Sequence, residues 1–266
     1  MSLESVLGVS ARPYREAGLA RPPWNTLLSH IEPEVWIDLR HCFEEVRLAV
    51  GDAPVGDGQV WFPTSAVLGL KVSGACGEAI DVALAGRDAV ASNFPGLAPA
   101  SGQISGRWVV RLGGAALRTG ADHLARLKAQ SAPLAAALDR QEAGRVPGLL
   151  NAALCGSAHR LDGRMASLLL RLMDGAGRRE FEISQEALAE MLGVQRTTLS
   201  AVASDFKSLH LIRYARGRIQ VLDPEGLRHR ACEHSAGSHV PNDGIFRSLE
   251  PRNGTASFDP RQDQGL

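Results

Sequence analysis

Cys155 and His159 stand four residues apart, a spacing that sets a thiol and an imidazole on one face of a helix. Cys232 and His234 repeat the two donor types near the C-terminus. Both are zinc-ligand chemistries, but each pair lacks a third partner nearby in sequence. The four cysteines (Cys42, Cys76, Cys155, Cys232) show no C-x-x-C spacing, so neither a zinc ribbon nor an iron–sulfur cluster follows. No metal site and no cofactor is expected; a core cysteine beside a surface histidine explains each pair. Asp81 and Asp88 are the nearest approach to an acid/base couple, and turn or solvent-face roles account for both. The chain contains no G-x-S-x-G, Walker or G-x-G-x-x-G element, so it does not read as an enzyme.

A different chemistry is concentrated between Ser184 and Val221. Gln195, Arg196, Thr197 and Ser200 cluster where a helix would begin, away from an apolar stripe of Leu199, Val202, Phe206 and Leu209. An arginine can donate two bonds to a guanine edge, and short hydroxyls permit close approach to bases or phosphates. Between Val194 and Arg218 the basic residues are Arg196, Lys207, Arg213, Arg216 and Arg218, against the single acid Asp205. That excess lies within a chain of formal net charge +0, so any attraction to nucleic acid must be local.

The elements needed to position these groups can be read around them. Ser184 is placed to cap a helix running to Leu192, with Glu186 at its positive end and Leu188, Met191 and Leu192 facing inward. Gly193 then supplies a turn residue free to adopt positive φ. The second helix follows, giving a helix-turn-helix from Ser184 to Leu209. Its N-terminal residues are those that face base edges when such a helix enters a major groove. Residues 211–221 predict two short strands about a tip at Arg216-Gly217-Arg218, a basic wing.

Upstream, residues from Trp24 to Leu39 carry helical spacing in Leu27, Leu28, Ile31, Val35 and Leu39. Between Val46 and Thr119 short alternating runs (46–50, 60–62, 67–72, 80–84, 108–112, 115–118) alternate with glycine-rich turns and predict an antiparallel roll or barrel. Helical period returns from Ala121 to Cys155, with Leu124 and Leu127 on a first segment and Leu134, Leu138, Leu149 and Leu150 on a second. Pro133 suits its start, whereas Pro147-Gly148 sits awkwardly inside it. Residues 1–22 read as a mobile leader, and 234–266, with only Phe246 and Phe258 as aromatics, as a disordered tail. No charged segment followed by an apolar one marks a secretion signal. No run approaches the roughly 18 apolar residues of a membrane helix, so a soluble cytoplasmic protein without membrane contact is expected.

The stretches Ile183–Ser200 and Leu211–Ile219 resemble the Crp/Fnr family of bacterial transcription regulators, with weaker likeness at Val60–Val67 and Val82–Asp88. The resemblance implies an α+β architecture: an N-terminal antiparallel β-roll like a cyclic-nucleotide-binding domain, a long dimerisation helix and a C-terminal winged helix-turn-helix. On that scheme residues 1–22 are the leader, 23–120 the roll, 121–156 the linker and dimer helix, 157–233 the DNA-binding domain and 234–266 the tail. It further implies a homodimer on a palindromic double-stranded DNA operator, with RNA polymerase as a further partner. Arg196 falls on the position that usually contacts a base, and Gln185 where a groove or phosphate contact is made. Gln195, Thr197, Ser200, Arg213, Arg216 and Arg218 complete the expected DNA-binding set.

The effector site is where the chain departs from the family. Where cyclic-nucleotide binders carry Gly-Glu and Arg-Ser/Thr-Ala, this chain has Ala91-Ser92 and Arg107-Trp108-Val109. The ribose-binding glutamate is missing, so cyclic AMP is not expected, and Arg107 alone is left as an effector candidate. A second class of function fits the same pattern, a ligand-binding or protein-interaction module whose helix pair is a docking surface.

Overall fold

In the computed structural model, residues 11–13, 25–56, 58–93 and 104–232 are described. The alternating runs form strands wherever one face can be buried. β1 (Ala11–Pro13), β2 (Glu44–Leu48), β3 (Gln59–Pro63), β6 (Ala91–Ser92) and β8 (Gly114–Gly120) make one antiparallel sheet in the order β1-β2-β8-β3-β6. β4 (Val67–Gly74), β5 (Ala79–Ala85) and β7 (Ile104–Leu112) make a second, in the order β5-β4-β7. Leu48, Trp61, Leu68, Leu70, Trp108 and Val110 belong to one buried cluster drawn from both sheets. The roll is therefore filled by side chains, two of them tryptophans.

Three expectations need correction. The leader of residues 1–22 contains a strand: Ala11–Pro13 pairs with Glu44–Val46 at the sheet edge, where the missing N–H of Pro13 is tolerated. The rest of the leader and the tail 234–266, with His234, Phe246 and Phe258, lie outside the described residues. The stretch from Trp24 is not one helix but a 3-10 turn (Leu28–His30), α1 (Pro33–Leu39) and a second 3-10 turn (Arg40–Cys42). Pro33 occupies the first turn of α1, where its missing donor costs nothing.

The first expected segment is α2 (Ala121–Gln130), and the expected long second one is two helices, α3 (Ala132–Ala143) and α4 (Arg145–Ala158). Pro147 does not kink a helix because a new one begins at Arg145, leaving the proline in a first turn whose N–H groups have no intrahelical acceptor. Leu134 (0% exposed) and Leu138 (7%) do not face a second subunit. They pack with Trp36, Phe43, Phe62 and Leu117 against the roll. The apolar stripe left open is Val146, Leu150 and Leu154 on α4, at spacings of four.

The remaining elements are α5 (Leu161–Ala176), β9 (Glu180–Glu182), α6 (Gln185–Leu192), α7 (Arg196–Ser208), β10 (Ile212–Ala215), β11 (Arg218–Val221) and α8 (Pro224–Arg230). Their core joins Met165, Leu169 and Leu172 of α5 to Leu188, Met191, Leu199, Phe206, Ile219 and Leu227, and runs on into Val67 and Leu112 of the roll. Gly86 and Gly175 let the two parts touch backbone to backbone: a Cβ on Gly86 would lie 2.3 Å from the Cα of Gly175. The Arg87 N–H donates to the Gly175 carbonyl at 2.9 Å across that contact. Among the described residues no helix is long and apolar enough to cross a membrane.

A charge network, buried at Arg111 and Asp81 and half-buried at Lys71 and Glu190, joins the roll to the helix-turn-helix. The β4–β7 register passes from Val67 opposite Leu112 to Leu68 opposite Val110, so Arg111 is the bulged residue. A bulge re-aims a side chain, and here Arg111 Nε donates to Asp81 Oδ2 at 2.8 Å with a second bond from Nη2 to Oδ1. Gly69 makes room, since a Cβ there would lie 1.9 Å from Asp81 Oδ2. Arg111 Nη1 and Lys71 Nζ then reach Glu190 of α6 at 2.8 and 3.0 Å. Burial opposes the Glu190 charge, but its bonds to Lys71 and Arg111 prevail and hold its carboxyl below the usual range. Asp81 goes the other way: burial raises its pKa despite Arg111.

Candidate nucleic-acid interface

The helix-turn-helix forms as its residues dictate. The Ser184 hydroxyl accepts from the Ala187 N–H at 3.0 Å, a cap whose loss costs about 1 kcal/mol. Gly193 ends α6 in the left-handed conformation (φ +63°), which removes the steric penalty that an L side chain would meet there. On α7, Leu199 and Phe206 are fully buried, and Ala203 completes the inward face. Leu209, expected in that stripe, is 48% exposed because the chain has already left the helix at Ser208.

The N-terminus of α7 presents the expected recognition groups. Gln195 is its N-cap, and among the described residues no side chain caps the first N–H groups of the helix. Such groups with the positive end of the dipole favour an anionic acceptor. Gln195, Arg196, Thr197 and Thr198 are all exposed. The Arg196 side chain makes no hydrogen bond or ion pair among the described residues, leaving its five donors available.

Ser200 and Gln185 behave differently from the others. The Ser200 hydroxyl contacts Gln185 Oε1 at 2.8 Å and its own helix at Arg196 O, 2.9 Å. The pair fixes the start of α6 against α7, which leaves the amide nitrogen of Gln185 as the group that can reach outward. Ala201 and Ser204, which sequence reasoning passed over, extend the exposed face one turn on from Thr197 and Ser200. Their small size lets a helix lie deep in a groove. The signal was present in the i, i+4 spacing from Arg196 through Ser200 to Ser204.

The wing is a two-residue hairpin in which Ala215 pairs with Arg218, and Arg216 (φ +51°) and Gly217 (φ +76°) form the turn. Positive φ at both central residues matches the twist of the flanking strands. The three wing arginines are not equivalent. Arg218 is engaged by Glu182 at 2.7 Å and Glu180 at 3.3 Å on the neighbouring strand, acids that lie just outside the basic stretch read from sequence. Arg213 donates to Gln220 at 3.2 Å. Arg216 has no such partner among the described residues and stands at the tip.

A glycine would suit the Arg216 conformation better, since an L side chain in the left-handed region costs about 1 kcal/mol. Arg216→Gly is therefore expected to raise stability to chemical denaturation by up to about 1 kcal/mol while weakening DNA binding on every sequence and flattening its salt dependence. Unchanged affinity in a salt titration would remove Arg216 from the interface.

Arg107, the effector candidate, is exposed on β7, whereas Trp108 beside it turns inward (7% exposed) and donates from Nε1 to the Ser92 carbonyl at 2.8 Å. That bond joins the two stretches in which the family places its cyclic-nucleotide groups. Arg107 thus points away from the filled interior.

Residues 163–230 match the family of Crp-like helix-turn-helix domains. No curated protein matches the chain by sequence. Among solved structures, FixK2 from Bradyrhizobium japonicum aligns at a TM-score of 0.56 with 14% identity, over 71% of this chain and 96% of that one. A transcriptional regulator of the CRP/FNR family from Thermus thermophilus aligns at 0.51 with 18% identity, over 70% and 97%. The c-di-GMP-responsive global regulator CLP of Xanthomonas campestris aligns at 0.51 with 12% identity, over 71% and 96%. At these identities the likeness is one of fold. Residues 163–230 are thus a Crp-like helix-turn-helix domain, carried by a chain whose fold is like that of the Crp/Fnr regulators.

Proposed function

We propose that the chain acts in the cytoplasm as a homodimer that reads a palindromic DNA operator, selecting sequence through Arg196 and gaining affinity from Arg216 and the open N-terminus of α7. The observation that carries this reading is that Arg196, at the exposed start of α7, and Arg216, at the tip of the adjoining wing, are both unpaired among the described residues. Gln195, Thr197 and the Gln185 amide flank Arg196, while Ser200 holds the two helices in register. Arg213 and Arg218, already bonded to neighbours, chiefly shape the wing and can share a phosphate only by loosening those bonds.

Dimer formation rests on Val146, Leu150 and Leu154. They are 63%, 66% and 47% exposed on one face of α4, an apolar stripe suited to a second copy of itself across a two-fold axis. Two recognition helices presented about one helical turn apart would then meet two half-sites. The filled roll supports a signal other than cyclic AMP.

Arg196→Ala is expected to lose about 1–3 kcal/mol of operator binding, concentrated at one base position. Titration of single-base operator variants at fixed salt reads this directly. Equal loss on all sequences would demote Arg196 to a phosphate contact. No salt-dependent DNA affinity in the wild type would favour a docking surface instead.

A further inference from the structure

Folding brings together three ligands that the sequence keeps apart. Cys155 lies in the last turn of α4, and His159 caps that helix with its N–H on the Cys155 carbonyl. Cys232 follows α8, 77 residues beyond Cys155, yet their sulfurs are 3.6 Å apart. One donor atom from each of Cys155, His159 and Cys232 lies within 4.8 Å of the others.

The position of Cys232 is built rather than incidental. Its N–H donates to Ser167 Oγ at 3.2 Å, and its sulfur lies 3.2 Å from the same oxygen. Gly163 allows the chain to pass there: a Cβ on it would stand 3.2 Å from the Arg230 carbonyl oxygen and 3.6 Å from the Cys232 nitrogen. All three ligand residues remain partly accessible, so an ion can enter from solvent.

We propose that Cys155, His159 and Cys232 form a zinc site that ties the end of α4 to the end of the winged-helix unit. Two thiolates on one tetrahedral zinc, each at about 2.3 Å, stand about 3.8 Å apart. The observed 3.6 Å is close to that edge and far from the roughly 2.05 Å of a disulfide. An imidazole at the third corner gives two sulfur ligands and one nitrogen, a borderline-soft set that selects zinc over magnesium or calcium. Binding converts both thiols to thiolates and releases two protons. Because each sulfur must lose its proton to bind, affinity falls as pH falls. The fourth position is open to water or another ligand. Because α4 carries the Val146/Leu150/Leu154 stripe, an ion here would link the proposed subunit contact to the winged-helix unit that the proposed operator binding uses.

The test is cobalt(II) substitution of the full-length, chelator-treated protein under reductant, followed by zinc competition. One cobalt per chain with a thiolate-to-metal charge-transfer band is expected. Cys155→Ser or Cys232→Ser should abolish the band, and His159→Ala should weaken zinc binding by more than the roughly 10–100-fold seen when a ligand merely loses its hydrogen-bond partner. A Cys42→Ser/Cys76→Ser double variant should bind as wild type. Zinc should also slow hydrogen exchange at the ends of α4 and α8.

No band, or a band that survives Cys232→Ser, overturns the site. Loss of both thiols in air with recovery on reduction, and no cobalt uptake, makes the two cysteines a redox pair and overturns it equally. Circular dichroism of the metal-free variants separates ligand loss from misfolding. If a serine variant fails to fold, His159→Ala with wild-type cysteines decides the question alone.

Discussion

Arg111→Met is expected to lower the unfolding free energy by about 3–5 kcal/mol, the usual cost of leaving a buried charge without its partner. The Asp81 side chain is 2% exposed and takes both its ion-pair bonds from Arg111, which supports its charge most, with Lys71 adding a weaker field. The loss has a pH signature. In the native protein the Asp81 carboxyl is already raised by burial, with Arg111 opposing that shift. Removing Arg111 raises it further, so the folded variant binds a proton more readily than the unfolded chain does. Stability then improves as pH falls from neutral towards the acid range and is lost again as pH rises through the folded value.

Glu190 responds in the opposite sense in the wild type. Its lowered carboxyl pKa contributes stability above the unfolded value, and that contribution disappears as pH falls through the folded one. Denaturant unfolding followed across pH for both proteins reads the two slopes. A double variant, Asp81→Asn with Arg111→Met, should recover part of the loss at neutral pH. Equal stabilities for wild type and Arg111→Met would show that the network neither supports the roll nor holds α6 against it.

On the proposed dimer, Leu150→Asp is expected to leave a monomer and to lower affinity for a palindromic operator by about 10²–10⁴-fold, the advantage lost when two linked half-sites become independent. Leu150 is 66% exposed, so the substitution should leave the melting of the monomer fold nearly unchanged. Light scattering at micromolar concentration gives the mass, and titration of whole and half operators separates avidity from the intrinsic contact. Half-site affinity should be retained, since Leu150 is remote in sequence from α7 and the wing. A dimeric mass for Leu150→Asp would move the subunit contact elsewhere. By contrast, Leu134→Asp should fail by misfolding, because that side chain is fully buried within its own subunit.

The helix-turn-helix was legible because its determinants are local. A capping serine, a glycine at the turn, an apolar stripe at helical spacing and a basic hairpin each act within a few residues, and together they allow one arrangement. The strands of the roll were legible for the same reason. What misled was any inference that needed to know which apolar face meets which neighbour. Leu134 and Leu138 have the same spacing whether they face a second subunit or the roll of their own. The sequence also showed no reason to separate Arg218 from Arg216, since the acids that bind Arg218 lie on β9, which pairs with it only after folding.

The sequence by itself determined the helix-turn-helix, the exposed polar start of α7 and the turn residues that let the wing form, because these depend on backbone preference and side-chain period. The tertiary structure alone decided how Arg111, Asp81, Lys71 and Glu190 meet: a bulge aims Arg111, Gly69 leaves space, and α6 brings Glu190 to the sheet. It likewise brought Cys155 and His159 to Cys232. Burial and long-range proximity are properties of the packed chain, so residues that looked incidental one pair at a time became a three-ligand cluster only when α8 closed against α5.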